Sequence, residues 1–243
     1  MMHKIINWLQ KHVPILIIFI FLSATISAQS NVVNKYGLYV VNDVKLLHRE
    51  MALDSNKEMV NLRKAIPALI FDLKYATTHN FMHRKLYPAL QTTYLRRPAV
   101  IALKNVTKQL NSQNLTIKIF DAYRPYSITE KMWEEVKDDR YAADPAKGSG
   151  HNRGIAVDLT IVDLQTKKEL FMGTGFDNFS DSAHQDFTGL PENVLKNRLL
   201  LKRAMEKYGF ISLATEWWHF SLPDATSFEL LDISFDELKK ISY

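Results

Sequence analysis

The 243-residue chain contains no cysteine. No disulfide framework can staple it, so its stability must come from its own core. Long runs of one charge sign are also missing. The formal net charge is +5, and without Lys4 and Lys11 the remaining 29 basic and 26 acidic residues leave only +3. That balance, with no basic cluster, argues against nucleic acid as a partner. There is no H-E-x-x-H, which excludes thermolysin-type and metzincin sites at the motif level. There is no G-x-S-x-G, no Walker loop and no dinucleotide fingerprint. Repeats and low-complexity segments are absent too.

What is present fits one globular domain with a sizeable core: 47% of residues are hydrophobic and 23% charged. Residues 1–28 contain no acid and have the layout of a secretory signal. Lys4 and Lys11 precede an apolar run from Val13 to Leu22, and Ser23, Ala24, Ser27 and Ala28 follow. The run is short of the roughly 20 residues a spanning helix needs. Cleavage after Ala28 is therefore expected, with export to the periplasm or beyond and no membrane span afterwards. The competing reading is an uncleaved anchor. Residues 29–243 are expected to form one domain, opened by an arm, extended or briefly helical, to about residue 64.

The pattern along the chain predicts mixed elements. Ala65–Leu73 is apolar around Pro67, as in an edge strand. Leu103, Val106 and Leu110 give a helix over 98–111. Thr116–Phe120 alternates as a strand and runs into the corner Asp121-Ala122-Tyr123-Arg124-Pro125. Ser127 and Glu130 have the spacing of a capping box for a helix through about Lys137, and 138–149 reads as a loop. Ile155–Val162 reads as a strand with Ala156, Asp158 and Thr160 on one face. Residues 171–190 form a long loop, and Pro191 opens a helix to Tyr208 with Gly209 beyond its end. The last predicted strand contains Trp217 to Leu222. Without a strict β-α-β alternation, this order favours an α+β fold with a largely antiparallel sheet flanked by helices.

Two clusters carry the chemistry. The first is Ser149-Gly150-His151-Asn152-Arg153-Gly154-Ile155-Ala156-Val157-Asp158; the second, sixty-odd residues on, is Glu216-Trp217-Trp218-His219. Two histidines and an aspartate make a zinc ligand set, and three protein ligands leave a fourth position for water. Gly150 and Gly154 bracket His151, as close backbone approach or positive φ requires. Taken singly, each of these residues also has a purely structural reading. Glu216 and His219, three apart, point to opposite faces of an ideal strand, so a bulge or tight turn must intervene if both serve one site. Trp217 and Trp218 read as packing. Arg124 could meet an oxyanion or make a surface ion pair. Asp177 could bind a ligand or cap its own glycine-flanked turn. His79, His83 and His184 read as loop or supporting residues.

S-x-H-x-x-G-x-A-x-D with E-x-W-H resembles the zinc peptidases of the D-alanyl-D-alanine metallopeptidase family (M15), within it the VanX-like dipeptidase branch. Asp72–Thr77, Asp121–Pro125, Gly150–Thr160, Met172–Asp177 and Glu216–His219 carry the likeness, over roughly residues 66–225. The resemblance implies a hedgehog/DD-peptidase-like fold and one zinc per chain on His151, Asp158 and His219. Glu216 would then be general base and acid, and Arg124 the stabiliser of the tetrahedral intermediate. Asp177, with Ser149 nearby, would receive the ammonium of a small D,D-dipeptide. The implied reaction is hydrolysis of D-Ala-D-Ala. The rival readings are a D,D-carboxypeptidase or endopeptidase on peptidoglycan stems and a non-catalytic zinc-dependent binder of cell-wall peptides.

Overall fold

In a computed structural model of the chain, residues 33–241 are described; the expected signal segment 1–28 lies outside them. In chain order the elements are β1 (Val40–Val41), α1 (Val44–Leu53), β2 (Met59–Asn61), α2 (Leu62–Ala65), β3 (Ile70–Phe71) and β4 (Tyr94–Arg96). There follow α3 (Arg97–Asn111), β5 (Leu115–Asp121), α4 (Tyr126–Val136), β6 (Ala156–Asp163) and α5 (Glu192–Glu206). The chain closes with β7 (Ile211–Ser212), β8 (His219–Ser221), β9 (Leu230–Leu231) and α6 (Phe235–Ile241).

Five strands form the central sheet in the order β3-β5-β6-β8-β7. The β5–β6, β6–β8 and β8–β7 pairs are antiparallel, while the edge pair β3–β5 is parallel. Two small ribbons flank it: β2 pairs antiparallel with β4, and β1 pairs parallel with β9. Ile117 and Ile119 of β5 and Leu159 and Ile161 of β6 are fully buried in one cluster with Leu103, Val106 and Leu110 of α3. The 3- and 4-residue spacing on α3 thus becomes the stripe that covers the sheet. The side of β6 that carries Asp158 is buried as well, because the loops around the candidate site close over it. Among the described residues no helix is long and apolar enough to cross a membrane.

Several elements differ from their sequence signals. The 65–73 strand shrinks to Ile70–Phe71, at the sheet edge, because α2 and a turn at Pro67 take up its start. The Ser127–Glu130 capping box does not form. Asp232, from beyond β9, instead accepts hydrogen bonds from Ser127 N at 3.0 Å and Ser127 Oγ at 2.8 Å, and Glu130 pairs with Lys35 at 3.0 Å. A distant carboxylate thus replaces the local cap. Helix α5 ends at Glu206 and passes through a turn to Gly209, whose φ is +93°. The strand expected from Trp217 begins only at His219. The arm contributes β1, α1 and β2.

Candidate active site

His151, Asp158 and His219 meet at the middle of the sheet, and register explains how. Asp158 on β6 stands opposite both His219 on β8 and Asp121 on β5. The β5–β6 register shifts between Ile119 and Asp121, a bulge at Phe120 that realigns Asp121 into this row. His151 arrives from the loop before β6. Gly154, at φ +71°, turns that loop sharply, and a Cβ there would lie 3.0 Å from the Met59 sulfur. At Gly150 a Cβ would lie 2.9 Å from Ser221 Oγ.

The ligand-type atoms of the triad all lie within 4.8 Å of one another. His151 Nε2 is 3.2 Å from His219 Nδ1 and 3.4 Å from Asp158 Oδ2, and His219 Nδ1 is 2.9 Å from Asp158 Oδ1. Ligands about 2.1 Å from a tetrahedral centre are roughly 3.4 Å apart, so the three atoms already span one face of such a site. The His151 ring is aimed by its other nitrogen: Nδ1 is 2.6 Å from the Ala122 carbonyl oxygen, which fixes Nδ1 as the donor and leaves Nε2 with its lone pair toward the triad. A set of two imidazoles and one carboxylate suits zinc. Burial alone would raise the Asp158 pKa, but His151 and His219 hold it well below the usual carboxylate range.

Glu216 sits beside this centre, with Oε2 4.0 Å from His219 Nδ1. The pair shares a face because residues 214–218 form turns, closed in part by His219 N donating to the Glu216 carbonyl at 3.4 Å. The turn thus resolves the opposite-face problem of the three-residue spacing. Burial, then the charges of Asp158 and Asp177, push the Glu216 carboxyl well above its ordinary range. Trp217 and Trp218 are both buried as expected, and Trp217 Nε1 donates to Thr174 Oγ1 at 2.8 Å.

Arg124 is buried, not a surface arginine. Its Nε and Nη2 donate to Asp121 Oδ2 at 3.0 and 2.9 Å, and Nη2 is 3.9 Å from Asp158 Oδ2. Among the described residues Nη1 has no hydrogen-bond partner, and Arg124 lines the cavity over the triad. Asp121 also accepts from Tyr87 OH at 3.0 Å. The corner is clamped to the histidine loop by Arg124 N donating to the His151 carbonyl at 3.2 Å and by Asn152 Nδ2 donating to the Arg124 carbonyl at 2.9 Å. Burial opposes the arginine's charge, yet Asp121 and its neighbours hold it firmly protonated.

Asp177 lines the same cavity. It does not cap its own turn; Oδ1 accepts from Tyr75 OH at 3.0 Å and Oδ2 from Phe81 N at 3.1 Å. Burial pushes its pKa to about 7. Ser149 reaches the cavity too, but its Oγ accepts from His151 N at 3.2 Å and so shapes the loop that carries His151. The cavity volume is about 270 Å³. His184 does not line the cavity; its carbonyl accepts from Arg198 Nη1 at 2.9 Å. His79 and His83 do not line the cavity. Asp121, Tyr75 and Asn152 lie within the stretches that carry the likeness but had no role of their own there; Tyr75, Tyr87 and Asn152 act by touching residues 23 or more positions away, which no local pattern encodes.

The family model described as D-ala-D-ala dipeptidase, peptidase family M15, matches residues 55–240. A D-alanyl-D-alanine dipeptidase of Escherichia coli (strain K12) is 35% identical over 75% of this chain and 94% of its own length. One from Enterococcus faecalis is 28% identical over 63% of this chain and 86% of its own length. A solved structure of the LdcB LD-carboxypeptidase is 19% identical, with a TM-score of 0.37, over 63% of this chain and 72% of that one; a score so low adds nothing on the fold. The chain belongs to peptidase family M15, the D-ala-D-ala dipeptidases, and is therefore an enzyme rather than a bare binding module.

Proposed function

We propose that the protein is a zinc-dependent dipeptidase that hydrolyses D-Ala-D-Ala to D-alanine, on a hedgehog/DD-peptidase-like fold. The observation that carries this reading is the shared cavity: the His151–Asp158–His219 triad, Glu216, Arg124 and Asp177 all face one space of 270 Å³. One zinc ion held by the triad would supply the charge that acidifies a water and polarises the scissile carbonyl. Glu216 takes the proton of the attacking water and returns it to the leaving amine; a carboxyl whose proton affinity is raised by burial suits both halves of that task. Arg124, fixed by Asp121, presents Nη1 where negative charge grows on the former carbonyl oxygen, and it needs no reorganisation to do so. Asp177 pairs with the substrate's free ammonium. Tyr75 and Phe81 occupy one position on each of its oxygens and leave the remaining lone pairs for the ligand.

A buried acid for an ammonium in the cavity that holds the triad favours a dipeptidase over a carboxypeptidase or endopeptidase on stem peptides, whose substrate has no free amine at that position. We place the activity outside the cytoplasm on the strength of the signal-like residues 1–28. The direct test is release of D-alanine from D-Ala-D-Ala by purified zinc-loaded protein, with activity lost on chelation and restored by zinc. Failure to turn over this dipeptide under those conditions contradicts the proposal.

A further inference from the structure

Helix α3 covers the sheet face opposite Asp158, and α5 packs beside α3 in the same core cluster. Neither helix supplies a residue to the cavity over the triad. Together with Lys207, which follows α5, the two helices hold eight basic and two acidic residues, a net +6. The other 21 basic and 24 acidic residues after residue 28 sum to −3. The sequence has no basic run, so this cluster exists only once the helices lie side by side. Four of the eight cations are engaged. Arg97 pairs with Glu58, Lys196 with Glu192 at 2.6 Å and Lys202 with Glu206 at 3.8 Å. Arg198 is buried and donates to the Met172 carbonyl at 2.7 Å. The other four, Lys104, Lys108, Arg203 and Lys207, are exposed and have no carboxylate partner among the described residues. They form two rows of i, i+4 spacing, one on each helix. Lys207 Nζ donates to Gln109 Oε1 at 2.9 Å and ties the rows together. One turn earlier in each row stands an exposed aliphatic residue, Ile101 at 56% and Leu199 at 43% exposure.

We propose that the solvent face of α3 and α5 docks on an anionic phospholipid bilayer. The four unpaired cations meet headgroup phosphates, and Ile101 and Leu199 enter the boundary between headgroups and acyl chains. A single exposed aliphatic residue is ordinary on a protein surface. Here both stand in line with cations that lack partners, and that combination selects the occupant. A soluble polyanion neutralises the cations but leaves Ile101 and Leu199 in water, whereas a bilayer surface takes up both. Docking uses no residue of the catalytic cavity, so the proposal does not depend on the dipeptidase reading.

Co-sedimentation with phosphatidylcholine vesicles, with and without phosphatidylglycerol, measures the docking. All variants are compared with wild type in the same full chain, so residues 1–28, with Lys4 and Lys11, contribute equally throughout. Wild-type protein should bind the anionic vesicles at least about 10-fold more strongly than the zwitterionic ones at low ionic strength. No such preference overturns the proposal. Replacing the four cations together, Lys104→Gln, Lys108→Gln, Arg203→Gln and Lys207→Gln, should weaken binding to anionic vesicles at least about 10-fold. A control set, Lys85→Gln, Lys131→Gln, Lys239→Gln and Lys240→Gln, removes four exposed cations from other surfaces and should stay within about threefold of wild type. Equal losses in the two sets, or no loss in the first, overturn the face as the docking surface. Ile101→Ser with Leu199→Ser should weaken vesicle binding at least about threefold and leave binding to soluble polyphosphate unchanged. Vesicle binding equal to wild type in that double variant points to a soluble polyanion and overturns the bilayer as the occupant.

Discussion

Asp158 and His219 stand directly opposite one another across the antiparallel β6–β8 pair, with Oδ1 and Nδ1 2.9 Å apart. Their meeting is a matter of register: a slip of one residue would turn one of them to the far face of the sheet. Two strands therefore fix two of the three candidate metal ligands, and only His151 depends on a loop.

The first prediction follows from that arrangement. The folded protein should bind one zinc per chain, and His219→Ala should lose both metal and activity. Elemental analysis after gel filtration checks it. Full zinc occupancy in the variant would remove His219 from the ligand set.

Glu216→Gln should keep the metal and lose turnover by about 10²-fold or more, because an amide cannot accept the proton of the attacking water. Metal content and kcat are measured on the same sample. Turnover within tenfold of wild type would reassign the base.

Asp121 and Arg124 form a buried pair, Asp121 being 1% exposed. Asp121→Ala should destabilise the fold by about 3–5 kcal/mol, since it leaves a guanidinium buried without its partner. Urea unfolding measures the loss. Arg124→Ala should lower kcat more than it raises KM, because its contact strengthens in the transition state. A change in KM alone would make Arg124 a ground-state binding residue.

Much of the site was legible because its residues are close in sequence and chemically distinctive. Glycine on either side of His151 marked a tight loop, and both glycines are needed for close approach. Alternation along 155–162 placed Asp158 on the face opposite the apolar residues. The turn before β8 was legible only as a requirement: three-residue spacing demanded a departure from strand geometry without saying which one. What the sequence hid was long-range. The carboxylate that caps α4 comes from Asp232, 105 residues from Ser127, and no local pattern encodes it. The parallel pairing of β1 with β9 joins the ends of the domain across a separation that periodicity does not reach. Arg124 read equally well as a surface residue until Asp121 and the His151 loop enclosed it.

Asp177 makes a prediction about pH. Burial raises its pKa from 3.8 to about 7 in the folded, metal-free protein. Between those values the folded state holds a proton that the unfolded state has released. Its stabilising contribution is therefore complete below about pH 4 and is lost as pH rises through about 7. Relative to Asp177→Asn, metal-free wild-type protein should lose about 2–4 kcal/mol between pH 4 and pH 8.5. Denaturant melts of both proteins across that range provide the test; a difference that does not vary with pH would show Asp177 to be solvated.

The central claim is that this cavity selects a dipeptide by its free amine, and it is tested most directly by blocking that amine. Losing one partner of a confined charge pair costs roughly 2–5 kcal/mol, or about 30-fold to several-thousand-fold in kcat/KM. Wild-type enzyme should therefore be at least that much slower on N-acetyl-D-Ala-D-Ala than on D-Ala-D-Ala. Asp177→Asn should lose activity on the free dipeptide and much less on the acetylated one, which narrows the preference. Comparable wild-type kcat/KM on the two compounds would contradict the account and point to a carboxypeptidase instead.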